Sequence, residues 1–76
     1  MKRYHFKADG QGDPKGARLA DLPAVKCEAA KVAAGLLAAA ADDAWRGREW
    51  TVTVTDDRGV KVLELRVVGS EMPAAA

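Results

Sequence analysis

Cys27 and His5 are the side chains of this sequence whose chemistry could support nucleophilic catalysis. A thiolate becomes an effective nucleophile when a nearby base takes its proton, and an imidazole is a common base. The chain has one cysteine and one histidine, and no third residue stands at a spacing that would orient the pair. We therefore expect no catalytic residues, with Cys27 a small apolar residue on a helix flank and His5 on a solvated strand face.

Asp9 and Asp13 flank the sequence Gly-Gln-Gly and could supply oxygen ligands to calcium. A calcium loop needs several oxygen ligands at alternate positions and usually a later bidentate glutamate. Here Pro14 follows the second aspartate, and turn chemistry accounts for both carboxylates. Residues 10–12 also lack the Lys-Ser/Thr sequence of a phosphate loop. The sequence therefore predicts no metal site and no cofactor.

Two segments, residues 3–8 and 49–55, alternate apolar and polar side chains with the period of two that is typical of half-buried strands. In the first segment, Tyr4 and Phe6 fall on the face that we expect to be buried. In the second segment, that face begins at Trp50, and three threonines occupy the other face.

The following segment predicts a β-hairpin. Residues 56–59 form a compact turn, in which Gly59 suits a positive φ, and residues 60–68 form the returning strand. Three apolar residues share the predicted buried face of that strand: Leu63, Leu65 and Val67. We expect residues 69–76 to form a flexible tail.

The alanine-rich stretch between the strands predicts a helix that begins after Asp21. Aspartate accepts hydrogen bonds from the free N–H groups of a first turn, and Pro23 loses no hydrogen bond there. An apolar stripe recurs at three- and four-residue spacing: Val25, Ala29, Val32, Ala33, Leu36, Leu37 and Ala40. We expect Gly35 to let a backbone or ring approach closely, Gly47 to end the helix, and Trp45 to close the core against the hairpin.

Together these elements predict one small α+β domain, residues 1–68, with the order β-α-β-β. An alternative version of this fold has a short extra strand near residues 17–19. One helix can cover one face of a three-stranded antiparallel sheet. The last strand is the most apolar, so we place it in the centre, which gives the strand order 2-3-1. A chain of 76 residues with few large apolar side chains has a thin core, which favours self-association.

Several short motifs resemble a family of small alphaproteobacterial proteins, abundant in rhizobia, that is catalogued as a domain of unknown function. In order they are Tyr4-His5-Phe6, Asp13-x-x-Gly16-x-x-Leu19-x-Asp21-Leu22, Glu28-Ala29-Ala30-x-x-Ala33 and Val52-x-Val54-x-Asp56-x-x-Gly59. The resemblance covers about residues 3–68 and implies a fold and a bacterial origin but no activity. The loop before Gly16 looks shorter than in that family, so this chain could lack a second strand there. Residues 21–23 and the helix after them also resemble the N-terminal domain of HicB-type antitoxins.

The net charge, the cysteine count and the N-terminal residues argue against several classes of protein. A net charge of +1 argues against a strongly electrostatic nucleic-acid binder. One cysteine cannot form an internal disulfide, and no apolar segment of a secretory signal follows Lys2 and Arg3, so we expect a cytoplasmic protein. The stretch of residues 29–41 is too short and too weakly apolar to cross a membrane.

The candidate interaction surface consists of residues expected on the sheet face opposite the helix: Arg3, His5, Lys7, Thr51, Thr53, Thr55, Val60, Val62 and Arg66. Exposed valines indicate a protein contact, and no aromatic side chain is expected on this face to stack with bases. We therefore expect a non-enzymatic interaction module that binds a protein partner or a second copy, forming a homodimer, through its sheet face or a free strand edge. The alternative is an antitoxin-like or nucleic-acid-linked regulator.

Overall fold

Seven elements make up the computed structural model, which describes residues 1–8, 11–12 and 16–73. In chain order they are β1 (Lys2–Ala8), β2 (Gln11–Gly12), β3 (Ala17–Leu19), α1 (Leu22–Ala39), α2 (Ala41–Ala44), β4 (Arg46–Asp56) and β5 (Lys61–Ser70). One main helix and an antiparallel sheet confirm the predicted α+β class.

The sheet has more strands than the predicted three. Its order is β2-β1-β4-β5, and β3 also pairs with β1. β1 pairs with β4 along one side. Both β2 and β3 pair with β1 along its other side, so the five strands occupy four positions in the sheet. Residues 17–19 are thus a strand, and the strand that this chain could have lacked is present as the two-residue β2.

β4, and not β5, lies in the interior of the sheet, so the predicted order with the last strand in the centre is wrong. The number of apolar residues in a strand does not measure its burial, because α1 covers one face of the sheet. Val52 and Val54 of β4 are each 1% exposed, whereas Val68 of β5 is 62% exposed. The strand that alternates valine with threonine is therefore interior, and β5 forms an edge.

The hydrophobic core lies between α1 and the inner face of the sheet, which we define as the face that carries Phe6, Val52 and Val54. Three residues of α1 are buried against it: Val25, Ala29 and Ala33. Two of these three are alanines, which contribute little area to the core. Val32 and Leu36 pack beside them, so five residues of the predicted apolar stripe contact the core, whereas Ala40 lies outside α1.

Helix α1 begins where the sequence predicts. Asp21 Oδ1 accepts a hydrogen bond of 2.9 Å from the N–H of Ala24, and Pro23 occupies the first turn. The helix is interrupted at Ala40, where φ is −133° and ψ is 49°, before α2 begins. Alanine is the best helix former, so no residue type in the sequence marks this interruption.

Three predictions about individual residues near the helix end are wrong. A Cβ at Gly35 would meet nothing within 4 Å, so this glycine permits no close approach. Trp45 is 60% exposed and does not close the core. Gly47, with φ 77°, lies inside β4 where a bulge shifts the register between Arg46 and Glu49.

Strand β5 continues past residue 68. Gly69 and Ser70 belong to β5, and Ser70 pairs with Arg46. Gly69 allows β5 to pass close to α2, because a Cβ there would lie 2.5 Å from the carbonyl oxygen of Ala44 and 3.1 Å from Trp45 Cε3. The first two residues of the segment expected as a tail are therefore the end of a strand.

Candidate functional site

The outer side of β5 is a free sheet edge. β5 has ten residues, Lys61–Ser70, and pairs with β4 on one side, while no other strand in the described part of the chain pairs with it. Alternate residues of an antiparallel edge strand direct their backbone N–H and C=O groups away from the sheet. These unpaired groups can pair with another extended chain.

The turn before β5 fixes where this edge begins. Asp56 Oδ1 accepts hydrogen bonds from the backbone N–H groups of Arg58, at 2.9 Å, and Val60, at 3.0 Å. Gly59, with φ 78°, donates from its N–H to the carbonyl oxygen of Asp56. The hydrogen bond from Val60, with those from Arg58 and its positive charge, holds the pKa of Asp56 below its usual value.

A β-bulge at Val62 changes which way that side chain points. Val54 pairs with Leu63 and Thr55 with Lys61, so Val62 is an extra residue on β5. Val62 packs against the hydrophobic core together with Leu63. Its predicted place on the outer face is therefore wrong, since a strict alternation through residues 60–68 omits the bulge.

Opposite charges lie two residues apart on the outer face of the β5 edge. Arg66 Nε is 2.9 Å from Glu64 Oε1 and 3.6 Å from Glu49 Oε1. Lys61 Nζ is 3.1 Å from Glu64 Oε2. Hydrogen bonds from Lys61 and then Arg66 lower the pKa of Glu64. The Arg66 side chain remains 65% exposed, so it is accessible to a further acidic partner.

Leu65 lies between these two charges and faces the helix side of the sheet. It pairs with Val52 of β4 but is itself 37% exposed. A shallow groove of about 270 Å³ runs beside it, lined by residues of α1 and β5: Lys26, Ala29, Ala30, Leu63, Glu64 and Leu65. The edge therefore presents unpaired backbone next to apolar side chains.

Most residues of the predicted interaction surface do share the outer face. His5 pairs with Thr55, Lys7 with Thr53, and Thr51 with Arg66, and residues directly opposite in antiparallel strands point to the same side. Arg3 lies on that face by the same alternation and is directly opposite Arg18 of β3. Val60 is 52% exposed but lies in the turn before β5.

The structure does not bring Cys27 and His5 together. His5 lies on the outer face of β1, where its Nε2 is 3.5 Å from Asp57 Oδ1. Cys27 is exposed on α1, which packs on the opposite face of the sheet. The sheet separates the two side chains, so they form no nucleophile–base pair.

Neither a metal cluster nor a membrane span is found in residues 1–8, 11–12 and 16–73. No group of three histidine, cysteine or acidic side chains there is placed to hold a metal ion. Asp9 and Asp13, considered above for calcium, lie outside the described residues. No helix in the described ranges combines the length and apolar character needed to cross a bilayer.

The predicted interaction surface omits Glu64 and Leu65, which lie along the free edge of β5. Both belong to the strand that the sequence places at the centre of the sheet, where no edge is available. The spacing of the opposite charges Glu64 and Arg66 about an apolar residue is the signal in the sequence that points to this segment.

The chain belongs to the family catalogued as Domain of unknown function (DUF6894), whose model matches residues 3–68. This match confirms the resemblance carried by the motifs from Tyr4 to Gly59. The comparisons give no support to the likeness to HicB-type antitoxins. No curated protein and no solved structure matches the chain.

Proposed function

We propose that this DUF6894 protein is a non-enzymatic interaction module that binds an extended protein strand along the free edge of β5. The observation that carries the proposal is the ten-residue edge strand, Lys61–Ser70, which has a strand on one side only in the described chain. Strand addition at such an edge supplies backbone hydrogen bonds for affinity, and alternate side chains supply specificity.

Exposed apolar side chains along the same strand support this use. Val68 is 62% exposed on the outer face, and Leu65 is 37% exposed on the inner face beside the groove. A strand added at β5 would cover both residues, and burial of apolar area favours association. Bulges can protect an edge strand, and here the register shifts lie at the two ends of β5, which leaves residues 63–68 paired with β4 in one regular register.

The test compares two leucine-to-lysine variants as baits. Leu65→Lys places a charge on the edge and should abolish capture of the bound strand, because lysine on an edge strand opposes pairing. Leu22→Lys is the matched control, since Leu22 is 45% exposed in the first turn of α1, away from β5. Tagged wild type and both variants are incubated with a lysate of the native cells and a differently tagged second copy.

Bound proteins are identified by mass spectrometry, and circular dichroism checks that each variant is folded. The proposal predicts a stoichiometric protein, whether a second copy or another chain, that the wild type and Leu22→Lys retain and Leu65→Lys loses. It is overturned if the wild type retains no protein, or if Leu65→Lys retains the same protein as the wild type.

A further inference from the structure

We propose that the strand bound at the β5 edge is β5 of a second copy of this chain, paired antiparallel about a two-fold axis at Leu65. This inference rests on the proposed function and names the partner. It places a Leu65–Leu65 contact at the centre of a homodimer, with one continuous sheet running through both copies.

The charges of β5 match their own copies in this register. With Leu65 opposite Leu65 of the second copy, Glu64 lies opposite Arg66 and Arg66 lies opposite Glu64, so two ion pairs form on the outer face. Opposite charges in directly opposed positions stabilise an antiparallel pair. The exposed guanidinium of Arg66 already lies 2.9 Å from the carboxylate of Glu64 in its own chain, so both groups are near the edge.

Neighbouring registers bring like charges together. Moving the axis by one residue, to Glu64 or to Arg66, sets that side chain directly against the same side chain of the second copy. Like charges directly opposite are destabilising, and they would lie next to each other at the centre of the interface. Charge complementarity therefore selects the register centred on Leu65.

Apolar side chains also match on the inner face in this register. Leu63 lies opposite Val67 of the second copy on each side of the central Leu65 pair. Leu63 and Val67 already pack against the core in one chain, whereas Leu65 is 37% exposed. Pairing would cover Leu65 and extend the core across the axis, beside the groove that Ala29 and Ala30 line.

The two-fold arrangement closes the assembly at two copies. Both β5 edges are used in the contact, and the outermost strands of the joined sheet are then β2 and β3. These strands have two and three residues, which is too short to template another chain. A contact that uses the same surface on both copies forms a closed dimer instead of a fibre.

Disulfide trapping tests both the partner and the register, in a Cys27→Ser background that removes the exposed thiol of α1. Leu65→Cys places two thiols opposite each other, with Cα atoms about 4.5–5.5 Å apart, a distance that a disulfide spans. Val67→Cys is the matched control on the same face. Its two copies would lie four residues apart along the ladder, about 14 Å, which is too far.

We expect Leu65→Cys to form a covalent dimer in a glutathione redox buffer at least tenfold faster than Val67→Cys. A mixture of Leu63→Cys and Val67→Cys should form the mixed dimer, because this register sets the two residues opposite each other. Equal rates for Leu65→Cys and Val67→Cys, or a faster rate for Val67→Cys, would overturn the register. Absence of any cross-link in all three cases would overturn the second copy as partner.

Failure of this inference can be distinguished from failure of the proposed function. If no variant cross-links but the wild type still captures a different protein that Leu65→Lys loses, the edge binds a foreign strand and only this inference fails. If Leu65→Lys loses nothing, the edge itself is not used, and the proposed function fails first.

Discussion

The two outer edges of the sheet differ in construction. On the β1 side, the edge is covered in two pieces, two residues of β2 and three of β3, which pair with opposite ends of β1. On the other side, β5 runs for ten residues and no strand in the described chain lies beside it. One edge is short and broken, and the other is long.

This difference leaves one side of the sheet able to accept a further strand. A strand pairs with another chain when it offers a regular series of outward N–H and C=O groups, and broken or short edges do not. In this protein, the segment before α1 closes the β1 edge, while the β4–β5 hairpin leaves β5 open. Substitutions at the covered edge, at the open edge and away from both should therefore have different effects.

The largest effect is expected at the closed edge, from Gly16→Ala. Gly16 has φ 67°, and a Cβ there would lie 2.6 Å from the carbonyl oxygen of Tyr4 in β1. Backbone strain and overpacking together should lower the free energy of unfolding by about 2–5 kcal/mol. Urea denaturation followed by circular dichroism measures this change.

Gly59→Ala is the control for the steric clash at Gly16. Gly59 has φ 78° but nothing within 4 Å of the position of a Cβ, so only the backbone strain applies. We expect Gly59→Ala to lower the free energy of unfolding by about 1–2 kcal/mol. Equal losses of unfolding free energy for Gly16→Ala and Gly59→Ala would show that the close approach of Gly16 to Tyr4 does not stabilise the β1 side of the sheet.

At the open edge, Glu64→Arg should weaken the dimer about tenfold, because it sets two arginines opposite each other on each side of the axis. The double variant Glu64→Arg, Arg66→Glu restores opposite charges across the axis and should regain most of the lost affinity. Sedimentation velocity over a concentration series gives the dissociation constants. A double variant as weak as the single one would contradict the pairing of these residues.

A smaller effect concerns the turn that joins the open edge to β4. Because folding lowers the pKa of Asp56, its ionised form stabilises the native state at neutral pH. That stabilisation is lost as the pH falls from the usual aspartate value of 3.8 through the lower pKa of the folded state. Glu64, whose pKa is also lowered, contributes with the same sign.

Asp56→Asn keeps an oxygen acceptor but cannot titrate, so it removes only the contribution of Asp56. We expect the free energy of unfolding of this variant to fall less steeply below pH 4 than that of the wild type. Thermal unfolding at a series of pH values provides the comparison. Parallel curves for the two proteins would show that the turn does not depend on the Asp56 carboxylate.

The smallest effect is expected where neither edge is touched. Gly35 is exposed on α1, and a Cβ there meets nothing within 4 Å. Gly35→Ala should therefore raise the free energy of unfolding by up to about 1 kcal/mol and leave the dissociation constant of the dimer unchanged. A loss of stability in urea denaturation would mean that Gly35 has a contact in the folded protein.

Local structure was the part that the sequence predicted well. Asp21 caps the helix, Gly59 forms the turn with a positive φ, and the alternation about Val52 and Val54 marks a buried strand face. Each of these depends on residues close together in the chain, where spacing and backbone preference decide the conformation.

Features that depend on distant contacts were not predictable in the same way. The strand order depends on whether β1 pairs with β4 or with β5, and no local pattern carries that information. The bulge at Val62 breaks the alternation by one residue, so a strict alternation assigns Val62 to the wrong face of the sheet. The place of Trp45 is likewise set by a distant contact, since its exposed ring lies beside Gly69 of β5.

Self-association through the β5 edge is tested most directly by sedimentation equilibrium of the wild type and Leu65→Lys, from micromolar to millimolar concentration. We expect the wild type to approach twice the mass of one chain as the concentration rises, while Leu65→Lys stays at the mass of one chain. A wild type that remains monomeric throughout, or a Leu65→Lys variant that dimerises equally well, would contradict self-association through the β5 edge.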